Sequence, residues 1–262
     1  MFDWHQINWL YSASGFAVGV LVGLTGVGGG SLMTPLLVLL FGVSPATAVG
    51  TDLLYAAITK SGGVVVHGLH RTIDWRIVRR LASGSVPATA LTILLLSRLG
   101  LESHGKHGLI STTLGIALVL TAVAIIFRKL MLVRLAPVIE GLGERRKFWL
   151  TIGLGAFLGV FVSISSVGAG AIGVTVLLLL YPNLPTVRVV GADIAHAVPL
   201  TLIAGMGHWY IGSVNWAILV SLIIGSLPGI MISSHIASRV PDTFLRPLLA
   251  AILAIVGVRL VI

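Results

Sequence analysis

The sequence predicts an all-α polytopic membrane protein made of two homologous repeats, and three observations carry that prediction. The first is composition: of 262 residues, 56% are hydrophobic and 10% charged, with a mean hydropathy of +1.07. Soluble domains carry about 25% charged residues. The second is the recurrence, from end to end, of apolar runs long enough for membrane helices, without the alternating ten-residue pattern of a barrel strand. The third is a glycine-rich interruption, Leu24-Thr25-Gly26-Val27-Gly28-Gly29-Gly30-Ser31, that returns in altered form as Val162-Ser163-Ile164-Ser165-Ser166-Val167-Gly168-Ala169-Gly170.

The net charge of +9 points to the bilayer and not to nucleic acid. Its basic residues sit in short connections between apolar runs, the mark of cytoplasmic loops. The absence of cysteine excludes disulfides and thiol chemistry. Met1 to Asn8 carries no basic residue, so no signal-peptide n-region is expected. The longest polar connection runs from Arg128 to Lys147, leaving no room for a soluble domain. The expected organisation is a first transmembrane repeat over 1–127, a basic cytoplasmic linker over 128–147 and a second transmembrane repeat over 148–262.

Residues 9–42 are apolar but broken at Gly26–Ser31. As one helix they would span about 50 Å, against a hydrocarbon core of roughly 30 Å. They therefore form a kinked crossing or a re-entrant hairpin of two half-helices, with Pro35 in the first turn of the second half. Ser44-Pro45 supplies an N-cap and a proline at the first helical position, opening a helix over about 46–66. Further helices are expected over about 75–97, with Pro87 kinking it, and 108–127. The second half repeats the plan: a broken stretch over 148–181, then helices over about 186–207, 216–238 and 244–262.

Shifting residues 49–98 by 141 onto 190–239 gives 13 identities in 50 positions, including Gly50/Gly191, Asp52/Asp193, His67/His208, Trp75/Trp216, Gly84/Gly225, Ser85/Ser226 and Pro87/Pro228. Paired Asp, His, Trp and Pro in order mark an internal duplication. If each broken stretch crosses once, the repeats are parallel; if each is a hairpin, they are inverted. Arg71, Arg76, Arg79 and Arg80 correspond to Gly212, Ala217, Val220 and Ser221, so one connection is basic and its counterpart is not. With the central loop cytoplasmic, inversion places 13 Lys/Arg inside and three outside; a parallel arrangement places 11 inside and five outside. The positive-inside rule favours inversion.

Half-helices that end inside a membrane are tolerated where protein or a watery cavity covers their unpaired backbone groups. A half-helix N-terminus offers N–H donors and positive partial charge, and so suits an anion. The expected substrate-binding residues are Gly28, Gly29, Gly30, Ser31, Thr51, Lys60, Ser165, Ser166, Gly168 and Gly170. Gly15, Gly19 and Gly23 form a small-xxx-small packing face. Lys60 lies deep in the second helix, on one face with Asp52, Ala56, Thr59, Gly63 and His67. It either offers its charge to an anion or forms a buried pair or snorkels. Asp52 and Asp193 are read as structural caps of helix starts or hairpin tips, or as coupling sites, and His196 lies one turn beyond Asp193. His67 and His208 are expected at the interface, with Trp75 and Trp216 as anchors.

Enzyme signatures do not hold up. The glycine run follows no strand and has no Walker lysine, and neither HExxH nor GxSxG occurs. No cofactor and no metal site is expected.

Gly26-Val27-Gly28-Gly29-Gly30-Ser31 with Pro35-Leu36, then Ser44-Pro45-Ala46-Thr47-Ala48-Val49-Gly50-Thr51-Asp52-Leu53, resemble the TauE/SafE sulfite exporter family. Ile73-Asp74-Trp75 and Gly84-Ser85-Val86-Pro87-Ala88 fit the same pattern, so the resemblance covers nearly the whole chain. It implies export of a small sulfur-containing anion, sulfite or an organosulfonate, across the prokaryotic plasma (inner) membrane. The residues themselves supply a two-repeat transporter suited to an anion, working by alternating access. The alternatives are a cation or metal transporter using Asp52, Asp193, His196 and His208, and a passive anion channel. The expected partners are the small anion, the lipid bilayer and, as an open question, a second copy of the chain; nucleic acid is not among them.

Overall fold

The computed structural model describes residues 9–25, 30–99, 109–236 and 242–261, and these contain helices and turns without a strand. In chain order the helices are α1 (Trp9–Thr25), α2 (Gly30–Phe41), α3 (Pro45–Leu69), α4 (Trp75–Leu99), α5 (Leu109–Glu140), α6 (Glu144–Ser165), α7 (Val174–Leu180), α8 (Thr186–Tyr210), α9 (Trp216–Ile236) and α10 (Asp242–Val261). A π turn, Ala169–Gly173, leads into α7. Among the described residues four spans, Trp75–Arg98, Ile110–Leu135, Glu144–Ser165 and Thr186–Tyr210, are long and apolar enough to cross a membrane.

Local chemistry explains the helix starts. Ser44 caps α3, its Oγ accepting from the Thr47 amide at 3.4 Å, and Pro45 takes the first helical position. Asp74 caps α4 through the Arg76 amide at 3.1 Å, and Asn215 caps α9 through the Ile218 amide at 3.1 Å. Pro35 falls in the second turn of α2, later than expected, because that helix already begins at Gly30. The segment expected as a polar linker is largely helical. α5 continues to Glu140 and only a short turn precedes α6. Its apolar residues between Leu130 and Val138 sustain helix past the membrane-length run.

Both broken stretches fold back on themselves. In the first, the Tyr11 ring near the start of α1 meets the Phe41 ring at the end of α2, with centroids 4.5 Å apart. In the second, Thr151 near the start of α6 meets Tyr181 at the end of α7, Oγ1 to Oη 2.8 Å. The second turn is made by Ser166 and Gly168, both in left-handed backbone conformation (φ 57° and 105°). Each stretch is thus a helical hairpin and not a kinked single crossing.

The helices pair lengthwise as α1 with α9, α4 with α6, α5 with α10 and α3 with α8. Glycine makes the first two pairings close. A Cβ on Gly225 would stand 1.8 Å from the Ser12 carbonyl oxygen, and one on Gly84 2.0 Å from that of Ile152. Gly15 and Gly19 lie against Leu222 and Ser226, as the small-residue face in α1 predicts. The order of these contacts sets direction. Gly155 faces Leu81 and Gly159 faces Ser85, so α4 and α6 run parallel, as do α1 and α9. Gly50 meets His208, Leu54 meets Gly205, Gly63 meets Ile194 and His67 meets Gly191, so α3 and α8 run antiparallel.

Candidate functional site

The antiparallel pair α3 and α8 forms the middle of the molecule, and the turn of the second hairpin ends against it. Three of the ionisable groups singled out in the sequence converge here with Lys60, all of them buried. Asp52 is 0% exposed, Asp193 1%, His196 0% and Lys60 9%. Burying charges at this density is expensive in any protein and more so in a membrane, so the cluster is there for chemistry or for tight structural pairing.

Asp52 lies two turns into α3. One of its oxygens, Oδ2, accepts from the Thr34 hydroxyl of the first hairpin and from the Ser166 hydroxyl of the second, the latter at 3.0 Å. A single carboxylate oxygen therefore ties both hairpins to α3, while Oδ1 has no hydrogen-bond partner. Asp193, on α8, stands against the π turn; a Cβ on Gly173 would lie 2.5 Å from Asp193 Oδ1. That oxygen too has no partner. Lys60 is in electrostatic reach of both carboxylates and of His196, but forms no ion pair with either acid. His196 Nε2 shares a hydrogen with Ser85 Oγ on α4 at 2.8 Å, and its Nδ1 is unpartnered.

The remaining expected site residues have varied placements. Gly28 and Gly29 lie outside the described residues. Gly30 and Ser31 open α2, and their side chains are likewise outside the description. The Thr51 hydroxyl oxygen accepts from the Asn215 amide at 3.0 Å, which fixes the start of α9. Ser165 donates to the Phe161 carbonyl at 2.7 Å and receives the Val167 amide at 3.3 Å, so it shapes the hairpin turn itself. Gly168 takes the left-handed position of that turn, and Gly170 is buried in the π turn. The two helix-end histidines part company. His67 is half-buried and bonds Thr72 at 2.7 Å. His208, expected at the interface, is fully buried, with Nε2 donating to the Ser163 carbonyl at 2.8 Å. The antiparallel packing of α8 on α3, with Gly50 against His208, carries it inward.

The arrangement combines one buried cation, two buried acids with unpartnered oxygens, and a hydroxyl from each hairpin, Thr34 on α2 and Ser166 in the second turn. A model of the family described as Sulfite exporter TauE/SafE matches residues 11–260. The chain belongs to this family. It is 38% identical over 250 residues to YjnA of Bacillus subtilis (strain 168), a probable membrane transporter protein, covering 94% of this chain and 97% of the relative. A second probable membrane transporter protein of that organism, YdhB, is 28% identical over 251 residues, 94% of this chain and 96% of the relative. One from Methanocaldococcus jannaschii is 25% identical over 259 residues, 93% and 91% of the two chains. No solved structure matches the chain.

As a TauE/SafE protein the molecule is a membrane-embedded transporter, and the names of its family and relatives indicate transport rather than catalysis. Of the residues that the TauE/SafE chain brings together here, the sequence singles out Asp52, Lys60, Asp193 and His196, but not Thr34 or the Ser85 contact with His196. Thr34 had no signal of its own. Ser85 carried one, the pairing Ser85/Ser226, but read as part of a proline kink.

Proposed function

We propose that this TauE/SafE protein carries a small sulfur-containing oxyanion, sulfite or an organosulfonate, across the prokaryotic plasma membrane by alternating access. The carrying observation is Lys60: a buried lysine in electrostatic reach of Asp52 and Asp193 that, among the described residues, no carboxylate has claimed as an ion pair. An unpaired cation in a low-dielectric site favours an anion strongly. Hydroxyls and backbone groups of the second hairpin turn, including Ser166, Gly168 and Gly170, complete the oxygen-binding surface. The burial of all four charged or ionisable groups supports an occluded form, from which access to either side requires a hairpin to move.

The reading includes the architecture that makes such a cycle natural: two inverted repeats, 1–127 and 148–262, in a multi-pass chain joined through 128–147. Supporting it, residues matched by the 140- or 141-residue shift make matched contacts. Gly15 on Leu222 mirrors Gly155 on Leu81, and Gly50 on Ser213 mirrors Gly191 on Thr72. Arg71 and Gly212, also matched, share left-handed backbone (φ 54° and 88°). The matched helices α3 and α8 run in opposite directions, which supports inversion. Among the described residues no three His, Asp or Glu side chains converge as metal ligands, so the metal-transport reading draws no support from geometry.

Thermal stabilisation of the purified protein across sulfite, small sulfonates and divalent metals tests the substrate class, because ligand binding to the folded state raises Tm. Stabilisation by sulfite or a sulfonate, reduced by about 10–100-fold in affinity in Lys60→Met, is the expected result. Stabilisation by metals alone overturns it.

A further inference from the structure

Asp52 and Asp193 occupy matched positions and are equally buried, yet the structure gives them different work. Asp52 is held: Thr34 and Ser166 both donate to it, from two different hairpins. Each acid has a buried Oδ1 without a donor, so the difference lies in the other oxygen: among the described residues none donates to Asp193, whose Oδ1 is buried against the π turn. A buried acceptor without a donor is costly in a fixed structure, and a carboxylate can shed that cost by taking a proton. We propose that Asp193 is the residue that binds and releases a proton during the transport cycle, with Lys60 linking that proton to the anion, while Asp52 is a fixed tie between the hairpins.

The linkage follows from the charges. Lys60 acts electrostatically on Asp193, on Asp52 and on His196. Among the described residues Lys60 is the charge that acts on Asp193, and the π turn meets it with the uncharged Gly173. With Asp193 ionised, its negative charge competes with an incoming anion for Lys60. With Asp193 protonated, Lys60 is left for the anion. Anion binding at Lys60 therefore favours proton uptake at Asp193, and the reverse holds with equal strength. The step is a simple protonation: the carboxylate Oδ1 gains H⁺ from water on one side and returns it on the other, with no bond to the substrate. A singly charged anion would then cross with one proton, and the direction of net flow would follow the combined gradients of both.

The inference rests on the proposed anion site, so its test separates the two. Infrared difference spectra of the reconstituted protein between high and low pH, without any substrate, report buried carboxyl groups directly. The expected result is a protonated-carboxyl band that Asp193→Asn removes and Asp52→Asn leaves; a band that survives Asp193→Asn overturns the assignment. Should Asn disturb folding, as read by gel filtration and Tm, Asp193→Ser is measured in the same way. The second arm is affinity for methanesulfonate, whose own charge stays constant with pH. Wild type should bind more tightly as pH falls, by up to about tenfold per unit for one linked proton. Asp193→Asn should stay at the tight, low-pH level throughout. Affinity independent of pH in wild type overturns the linkage. Absence of methanesulfonate binding at every pH, with the infrared band present, overturns the anion site and leaves the proton site standing.

Discussion

Two helices that carry the same aspartate in the same place make the most instructive comparison in this protein. Along α3, Asp52 is followed by Tyr55 and Lys60; at the matched positions of α8, Asp193 is followed by His196 and Thr201. The acid is kept and its company is changed. Each leaves Oδ1 unsatisfied, but in α3 the acid joins two hairpins through hydroxyl bonds to Oδ2, and in α8 it faces a glycine-walled turn with no donor among the described residues. The two matched positions thus share a burden, a carboxylate away from water, while their neighbours differ. The hairpin bases differ in the same way. The first closes by ring contact between Tyr11 and Phe41. At the second, the Tyr181 hydroxyl bonds Thr151 and receives Arg80 at 3.0 Å, and Arg80 also pairs with Glu144 at 3.5 Å.

The comparison can be broken most directly at the acids. Asp52→Ala strands two buried hydroxyls and should lower unfolding stability in micelles by about 2–4 kcal/mol. Asp193→Asn has no hydrogen bond at Oδ1 to lose and should cost less than about 1 kcal/mol. Equal losses would mean that the two aspartates do the same structural work. A smaller effect is expected where backbones touch. Gly84→Ala and Gly225→Ala each force a methyl into a carbonyl of the neighbouring helix, and each should destabilise by about 1–3 kcal/mol. A large effect at one glycine and none at the other would break the matching of α4–α6 with α9–α1.

Next in size is the tie through Asp52. In a double-mutant cycle, Thr34→Val and Ser166→Ala should be non-additive by about 0.5–2 kcal/mol, since both hydroxyls share one oxygen. Additivity would show that the hairpins are anchored independently. The smallest change belongs to the hairpin bases. Tyr181→Phe removes the hydroxyl that Thr151 and Arg80 share and should cost about 1 kcal/mol by thermal unfolding. Glu144, 73% exposed, should contribute a few tenths, which Glu144→Gln measures at low and high salt.

Much of this was legible in the sequence, for reasons that stay within one helix. Ser44-Pro45 starts α3 where it should, because capping is a matter of neighbouring residues. Gly15 and Gly19 mark a packing face because helical periodicity puts them on one side. The placement of Lys60 on the inner face with Asp52 follows from the same periodicity. The expectation failed at His208, where a position near the helix end suggested the interface. Depth is set by the helix that packs across from it, here α3 at Gly50, and not by distance from its own terminus.

By itself, then, the sequence determined the helical membrane class, the two glycine-rich interruptions and the family, since composition, period and motif are properties of the chain read along its length. The tertiary structure alone decided that the interruptions are hairpins, that α3 and α8 run antiparallel, and that Thr34 and Ser166 meet on one oxygen of Asp52. Ser166 lies 114 positions from Asp52, and Ser85 lies 111 from His196. Contacts across such separations depend on the register and rotation of packed helices, which many side chains set together and no local pattern encodes.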